Sequence, residues 1–468
     1  MAGTEKVKLL ELSQVAPPPR SVAAATLPLT FIDSFFLKRP DIRRILFYEL
    51  SPPDNTTHHF LNLILPNLKR SLSLALQLFF PLAAKLTQSS SGSSTDYEIR
   101  YSDGDSVSLA VVESDADFDL LRANYPRPFS ELHPLIPDLD PPNSLLALQF
   151  TVFPNAGFSI AYRVSHVLAD GSSLTHFMKS WASICRSGDI SAVANLPSYD
   201  RTPLGHLDSL KRSLMEEELL KANANQSPPA GGVRATFTLT RSDIESLSQS
   251  LIAQAQRNRP SADTSHFTRF VVACAHAWVC LLRARGGEDN DDDDDSHLEG
   301  KTATLFCPVD LRARLCPEIP PTYFGNCIGA CFAEASLSEL LAEDGFWAAS
   351  EAMGTAIRSY VGGGGMKDAE SWEWSSRMKG SGRIAAVGAS PKFRVYDTDF
   401  GWGRPKKTEL IPTQVSRVIY MGDSREEEGG VDVSVVLGDE QEMALFASLF
   451  QQGLEKSTTS SGTTETNL

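Results

Sequence analysis

The sequence predicts an α/β protein built as two domains, and three observations carry that reading. Residues on either side of a Pro-Asn-Ala-Gly turn at 154–157 alternate apolar and polar with period two. The apolar residues that follow recur with period 3.6. The chain has 468 residues, more than one ordinary core serves, and its 42% hydrophobic and 22% charged content places it among globular proteins.

Taken in order, residues 1–15 are charged and strand-like and do not read as a signal peptide, so a cytoplasmic protein is expected. Residues 67–80 read as a helix with Leu68, Leu72, Ala75, Leu76 and Phe79 on one face, and the serine run 89–94 as a loop. Leu148, Phe150 and Val152, then Phe158, Ile160, Tyr162 and Val164, form the two arms of a β-hairpin. Leu174, Phe177, Met178, Trp181, Ile184 and Cys185 lie along one face of a helix, with Asp170 or Ser172 as its N-cap. Residues 187–208 lack periodicity and read as a crossover, and 226–232 as a loop. The acidic block 291–295 reads as a solvated loop, because five adjacent carboxylates cannot converge on one ion from a regular backbone. The glycine run 362–365 lacks the Lys-Ser/Thr of a phosphate loop and reads as a mobile connection, and the polar stretch from 457 as a disordered tail. The expected division is an N-terminal domain over 1–186, a crossover over 187–215, a C-terminal domain over 216–455 and a tail over 456–468.

One histidine stands out. His166-Val167-Leu168-Ala169-Asp170-Gly171 is the one His-x-x-x-Asp of the chain. Such a spacing arises by accident roughly half the time in this composition, and the following Gly, about 7% of residues in general, lowers that about tenfold. Position adds to the motif. His166 shares the parity of Phe158 to Val164, so its side chain is expected to face the interior from a short strand-to-helix connection. A lone His at the end of an apolar strand is most often a hydrogen-bonded core residue. The same placement suits a general base, and the local sequence leaves both open. Asp170 reads as structural, either capping the helix or pairing with a buried arginine.

A second cluster is Tyr396-Asp397-Thr398-Asp399-Phe400-Gly401-Trp402-Gly403, followed by Arg404, Lys406 and Lys407. Its Asp-Phe-Gly is not a kinase signature, since no His-Arg-Asp loop or Gly-rich nucleotide loop precedes it. Two glycines around a Trp suggest a tight turn approached closely by another segment. The formal charge of −15 argues against nucleic acid and anionic membranes as partners, and no apolar run reaches 18 residues. Seven cysteines, an odd number without a Cys-x-x-Cys pair, read as reduced and mostly buried, and no metal site is indicated.

The two motifs together, in this order and in a chain of this length, resemble the plant BAHD acyltransferases. The resemblance extends over nearly the whole chain and includes Thr26-Leu27-Pro28-Leu29-Thr30-Phe31-Ile32-Asp33 and Phe79-Phe80-Pro81-Leu82-Ala83-Ala84-Lys85-Leu86, although Ala84 stands where Gly is usual. Tyr323-Phe324-Gly325-Asn326-Cys327 is similar to the motif of the flavonoid and anthocyanin branch, and Ser165 replaces a second His often seen before the catalytic one.

The resemblance implies two similar-sized domains like chloramphenicol acetyltransferase, each a mixed sheet covered by helices, with a channel between them. It implies an acyl-CoA co-substrate, no metal, and His166 as the general base that activates an acceptor hydroxyl. Asp170, paired with Arg312, would support the loop, as would Asp399, Gly401 and Trp402 in their turn. Ser390, Lys406 and Lys407 are candidates for contact with CoA, and Lys179 or His176 for the carboxylate of a malonyl donor. The favoured activity is malonyl transfer to a sugar hydroxyl of a flavonoid, anthocyanin or other phenolic glucoside, by a monomer with small-molecule substrates. An aromatic hydroxycinnamoyl donor, a carrier-protein condensation enzyme and a non-catalytic binding protein on the same scaffold are the alternatives.

Overall fold

The computed structural model describes residues 7–37, 39–89, 97–207, 231–258, 263–285, 300–362, 383–412 and 416–462. Two large mixed sheets organise them. The first runs, in spatial order, Lys8–Val15, Val107–Glu113, Leu146–Phe153, Gly157–Val164, Ile42–Glu49 and Lys407–Leu410. The second runs Ile328–Ser336, Thr302–Asp310, Ile384–Gly388, Ser416–Asp423, Val431–Leu437, Val233–Leu239 and Arg127–Pro128. A small third sheet orders Ala25–Pro28, Tyr97–Tyr101 and Lys85–Gln88.

The predicted hairpin is the centre of the first sheet. Leu146–Phe153 pairs antiparallel with Gly157–Val164 through an unbroken register from Phe153 opposite Gly157 to Leu146 opposite Val164. The turn takes Asn155 to a φ of 65°, a conformation asparagine tolerates. Gly157 has a steric reason of its own, since a Cβ there would lie 2.1 Å from the Tyr48 carbonyl oxygen. The helices Leu65–Leu78 and Gly171–Ser187 cover one face, burying Leu68, Leu72, Leu76, Phe177 and Trp181 against Phe150, Phe158 and Ile160. The second sheet has a separate core, under Arg269–Ala284, Arg241–Asn258 and Glu440–Gly462, with Trp278 and Phe446 fully enclosed.

The sheets are interlocked. Arg127–Pro128 leaves the first half of the chain to pair with Val233–Leu239, and Lys407–Leu410 returns to pair with Ile42–Glu49.

One reading at the termini holds and the other differs. The strand starts at Lys8, within the predicted stretch. At the other end the helix from Glu440 continues through Gly462, past residue 456 where a disordered tail was expected, and Ser457 is buried. Ser457 Oγ donates to the Leu454 carbonyl at 2.7 Å, which satisfies its hydroxyl where the helix buries it. Residues 463–468 of the tail, 208–215 of the crossover, 90–94 and 226–230 of two loops, the acidic block 291–295 and 363–365 of the glycine run lie outside the described residues. All seven cysteines are free, and Cys316 alone is exposed.

Candidate active site

His166 lies two residues past the strand Gly157–Val164, and its loop ends where Asp170 caps the helix Gly171–Ser187. Asp170 Oδ1 accepts the Ser173 N–H at 2.9 Å and Arg312 Nη2 at 3.1 Å. Its Oδ2 accepts Arg312 Nη2 at 2.9 Å and the Cys327 N–H at 3.0 Å. Both oxygens are occupied by fixed donors and the residue is 2% exposed, so Asp170 holds the loop and has no path to a substrate proton. Arg312 also reaches Asp310 Oδ1 at 3.1 Å and the Tyr323 carbonyl at 3.2 Å. Burial works against its charge, but Asp170 and Asp310 outweigh burial and hold the guanidinium above its ordinary pKa.

A second clamp grips the loop from the opposite side. Asn326 Nδ2 donates to the carbonyls of His166 at 2.9 Å and Val167 at 3.3 Å, and to Asp33 Oδ1 at 2.9 Å. Asp33 is fixed by a reciprocal capping box with Thr30 at the start of the helix Phe31–Phe35, and it pairs with the buried Arg201. The C-cap of that helix is Phe36, whose ring stacks on the imidazole at 3.8 Å between centroids with 5° between planes.

The imidazole is half-buried. Its Nδ1 is enclosed and has no hydrogen-bond partner among the described residues, which leaves Nε2 as the nitrogen that can meet a substrate. Burial lowers the His166 pKa below the usual histidine value, and its own carbonyl, Asp170 and Asn326 oppose that shift without cancelling it. The ring is therefore neutral at pH 7 and able to take a proton. Among the described residues no group of three or more His, Cys, Asp or Glu side chains is placed to hold a metal ion.

The other sequence candidates do not converge on His166. Asp399 Oδ1 accepts the N–H groups of Gly401 at 2.7 Å and Gly403 at 3.0 Å, closing a turn in which these glycines adopt φ of 114° and 88°. The positive φ is what requires glycine. The expected close approach is not, since a Cβ on Gly401 would meet only Arg186 Cγ at an ordinary 3.5 Å. Trp402 packs edge-on against Phe158 at 5.7 Å. From Phe158 to Val164 the strand alone spans about 20 Å at the usual rise, so the indole packs at the end of that strand away from His166.

Ser390 caps the turn Pro391–Phe393, accepting the Lys392 N–H at 3.3 Å, and lines a cleft between the sheets. Lys406 pairs with Glu49 at 3.3 Å on the surface. Lys407 is buried against Asn124 and Glu409, and burial pushes its pKa down to about 7. His176 donates its Nε2 hydrogen to the Asn195 carbonyl at 2.8 Å, because a carbonyl can only accept. Lys179 donates to the Phe393 carbonyl at 3.0 Å, with Asp397 at 3.9 Å. Both proposed carboxylate ligands thus have partners inside the protein.

Asp33, Phe36, Arg201 and Asn326 carried no assigned role in the sequence. Asp33 and Asn326 fall in two of the three segments that resemble family motifs, and that was the available signal.

A neutral imidazole on a doubly clamped loop between two mixed sheets suits proton transfer without a covalent intermediate. The Transferase family is matched over residues 6–452. The chain belongs to the BAHD acyltransferases. Phenolic glucoside malonyltransferase 1 of Arabidopsis thaliana is 32% identical, covering 96% of this chain and 98% of its own length. Coumaroyl-CoA:anthocyanidin 3-O-glucoside-6''-O-coumaroyltransferase 1 of the same species is also 32% identical, over 97% and 99%. The crystal structure of vinorine synthase matches with a TM-score of 0.67 at 20% identity, over 94% of this chain and 96% of that one, and shares the mixed α/β fold. As a BAHD acyltransferase the protein takes its acyl group from an acyl-CoA co-substrate. None of its described helices is long and apolar enough to cross a membrane.

Proposed function

We propose that the protein transfers a malonyl group from malonyl-CoA to a sugar hydroxyl of a phenolic, flavonoid or anthocyanin glucoside, with His166 as the general base. The observation that carries the assignment is the half-buried imidazole with Nδ1 enclosed and Nε2 free, on a loop whose own carbonyls are clamped by Asn326. A sugar hydroxyl is a weak nucleophile at neutral pH, so Nε2 removes its proton as the oxygen attacks the thioester carbonyl. The C–S bond then breaks as the tetrahedral oxyanion collapses, and the imidazolium returns the proton to the leaving thiolate. Phe36 supports the transient cation, since its ring face lies flat against the imidazole. Asp170 and Arg312 act as positioning residues. The malonyltransferase relative supports the donor and acceptor class. The charge of −15 supports a reading without nucleic-acid or membrane partners. We take the protein to work as a cytoplasmic monomer.

A hydroxycinnamoyl donor is the second reading, favoured by an equally similar coumaroyltransferase and by the internal partners of His176 and Lys179. A thiol-release assay with malonyl-CoA or p-coumaroyl-CoA and a panel of phenolic glucosides separates the two. His166→Ala should lower kcat by about 10²–10⁴-fold with the preferred donor while leaving donor binding intact. Equal rates from variant and wild type would remove His166 as the base, and faster release from p-coumaroyl-CoA would replace the malonyl reading with the aromatic one.

A further inference from the structure

Where the exchanged strands bring the sheets together lies a cleft open to solvent, and Arg44, Arg234 and Lys407 stand in its wall. Two of these cations are matched. Arg234 pairs with Glu409, and Lys407 lies 3.6 Å from the same carboxylate with Asn124 as a second partner. The carboxylates of the wall are engaged too. Asp432 accepts from Thr238 at 2.8 Å, and Asp423 from the N–H groups of Val395 at 2.9 Å and Tyr396 at 3.2 Å.

Arg44 is the exception. It is 7% exposed, its Nε is sealed without a hydrogen bond, and no hydrogen bond or ion pair reaches its guanidinium among the described residues. A buried guanidinium with no counter-charge is strongly unfavourable, and the simplest completion is an anion that the chain does not supply. Its place fits the donor. Arg44 lies opposite Tyr162 on the strand that delivers His166. His166 follows Tyr162 by four positions, at most about 14 Å of chain, a distance that the extended arm of CoA spans.

We infer that Arg44 is the anion contact for the acyl donor, taking an oxyanion of the CoA thioester in this cleft. That oxyanion is either a phosphate of the nucleotide end or the free carboxylate of a dicarboxylic acyl group. The planar fork of arginine serves both bidentately. The inference rests on an acyl-CoA donor and is independent of His166 as base and of the acceptor.

Calorimetric titration of the full chain with malonyl-CoA and with acetyl-CoA tests it, with thermal unfolding of the ligand-free protein alongside. Arg44→Gln should weaken malonyl-CoA binding about tenfold to a hundredfold, and Arg44→Lys should recover part of the loss. The ligand-free Tm of Arg44→Gln and Arg44→Met should hold or rise, because an unpaired charge has been removed. Equal weakening of both donors assigns the phosphate, and weakening of malonyl-CoA alone assigns the carboxylate. Undiminished binding of both donors overturns the inference. So does a ligand-free Tm that falls in Arg44→Gln and Arg44→Met together with donor affinity, since that marks a structural arginine. His166→Ala binding both donors normally keeps failure of the anion site apart from failure of the base.

Discussion

Asp170 and His166 are four residues apart and do opposite work, and the surroundings of each decide which. His166 keeps one nitrogen free beside Phe36, whereas both oxygens of Asp170 are saturated by Ser173, Cys327 and Arg312. Asp170→Ala leaves the buried Arg312 only the half-exposed Asp310 as counter-charge and strips the Ser173 and Cys327 N–H groups of their acceptor, so it should cost about 3–5 kcal/mol in urea unfolding. Since Asp170 carries no proton in the reaction, the variant's residual activity should keep the acid limb of the pH profile, with the inflection moved lower because the Asp170 charge no longer favours the imidazolium. That profile belongs to His166. The base form is required, so kcat/KM rises with pH and levels off above an inflection lying below the ordinary histidine value, burial having lowered the pKa. A profile that loses this acid limb in Asp170→Ala would make Asp170 a participant in proton transfer. This division was legible in the sequence because strand parity and an N-cap are local properties. Asn326 was not, because the contact that gives it meaning, to Asp33, spans 293 residues.

At the scale of elements, periodicity predicted the hairpin and the two helices of the first layer well, because one face of each is buried in a single core. It failed at the end of the chain, where Ser, Thr and Gly continue a helix begun by Met443, Phe446 and Phe450. That helix lies against Arg269–Ala284, with the imidazole of His276 at the junction. Its Nε2 donates to the Phe450 carbonyl at 3.0 Å, and a Cβ on Gly453 would come 2.4 Å from its Cε1. Burial lowers the His276 pKa to about 4, so the folded protein holds this ring neutral while the unfolded chain protonates it near the ordinary 6.5. Between those values the unfolded state binds the extra proton. Stability is therefore present above about pH 6.5 and is lost as pH falls toward 4, by about 3 kcal/mol in full. Chemical denaturation at pH 7, 6 and 5 should record the decline, and His276→Gln, which keeps a donor for Phe450, should flatten it. An unchanged slope in that variant would place the pH sensitivity elsewhere.

Across the whole molecule, the exchange of strands explains both what the sequence concealed and how the halves depend on each other. In the sequence Lys406 and Lys407 are adjacent candidates for CoA, but a strand sends adjacent side chains to opposite faces, leaving Lys406 beside Glu49 outside and Lys407 inside. Four residues, Lys407 to Leu410, are too few to announce a strand of the other half, and Arg127–Pro128 is shorter still. Inside the junction Glu409 answers both Arg234, from the second sheet, and Lys407, its neighbour in the first, with all three side chains almost fully buried. Removing either cation leaves the other to satisfy the carboxylate, whereas removing the carboxylate strands two charges at the interface. Lys407→Met should therefore be tolerated within about 1.5 kcal/mol, an apolar stem replacing an apolar stem. Glu409→Ala should lose about 3–5 kcal/mol. Because the pair joins the sheets, the loss should lower one common melting transition, with tryptophan fluorescence and far-ultraviolet circular dichroism moving together. A calorimetric trace in which Glu409→Ala melts in two steps, one at the wild-type temperature, would instead mean that each sheet stands alone and that the exchanged strand is only an attachment.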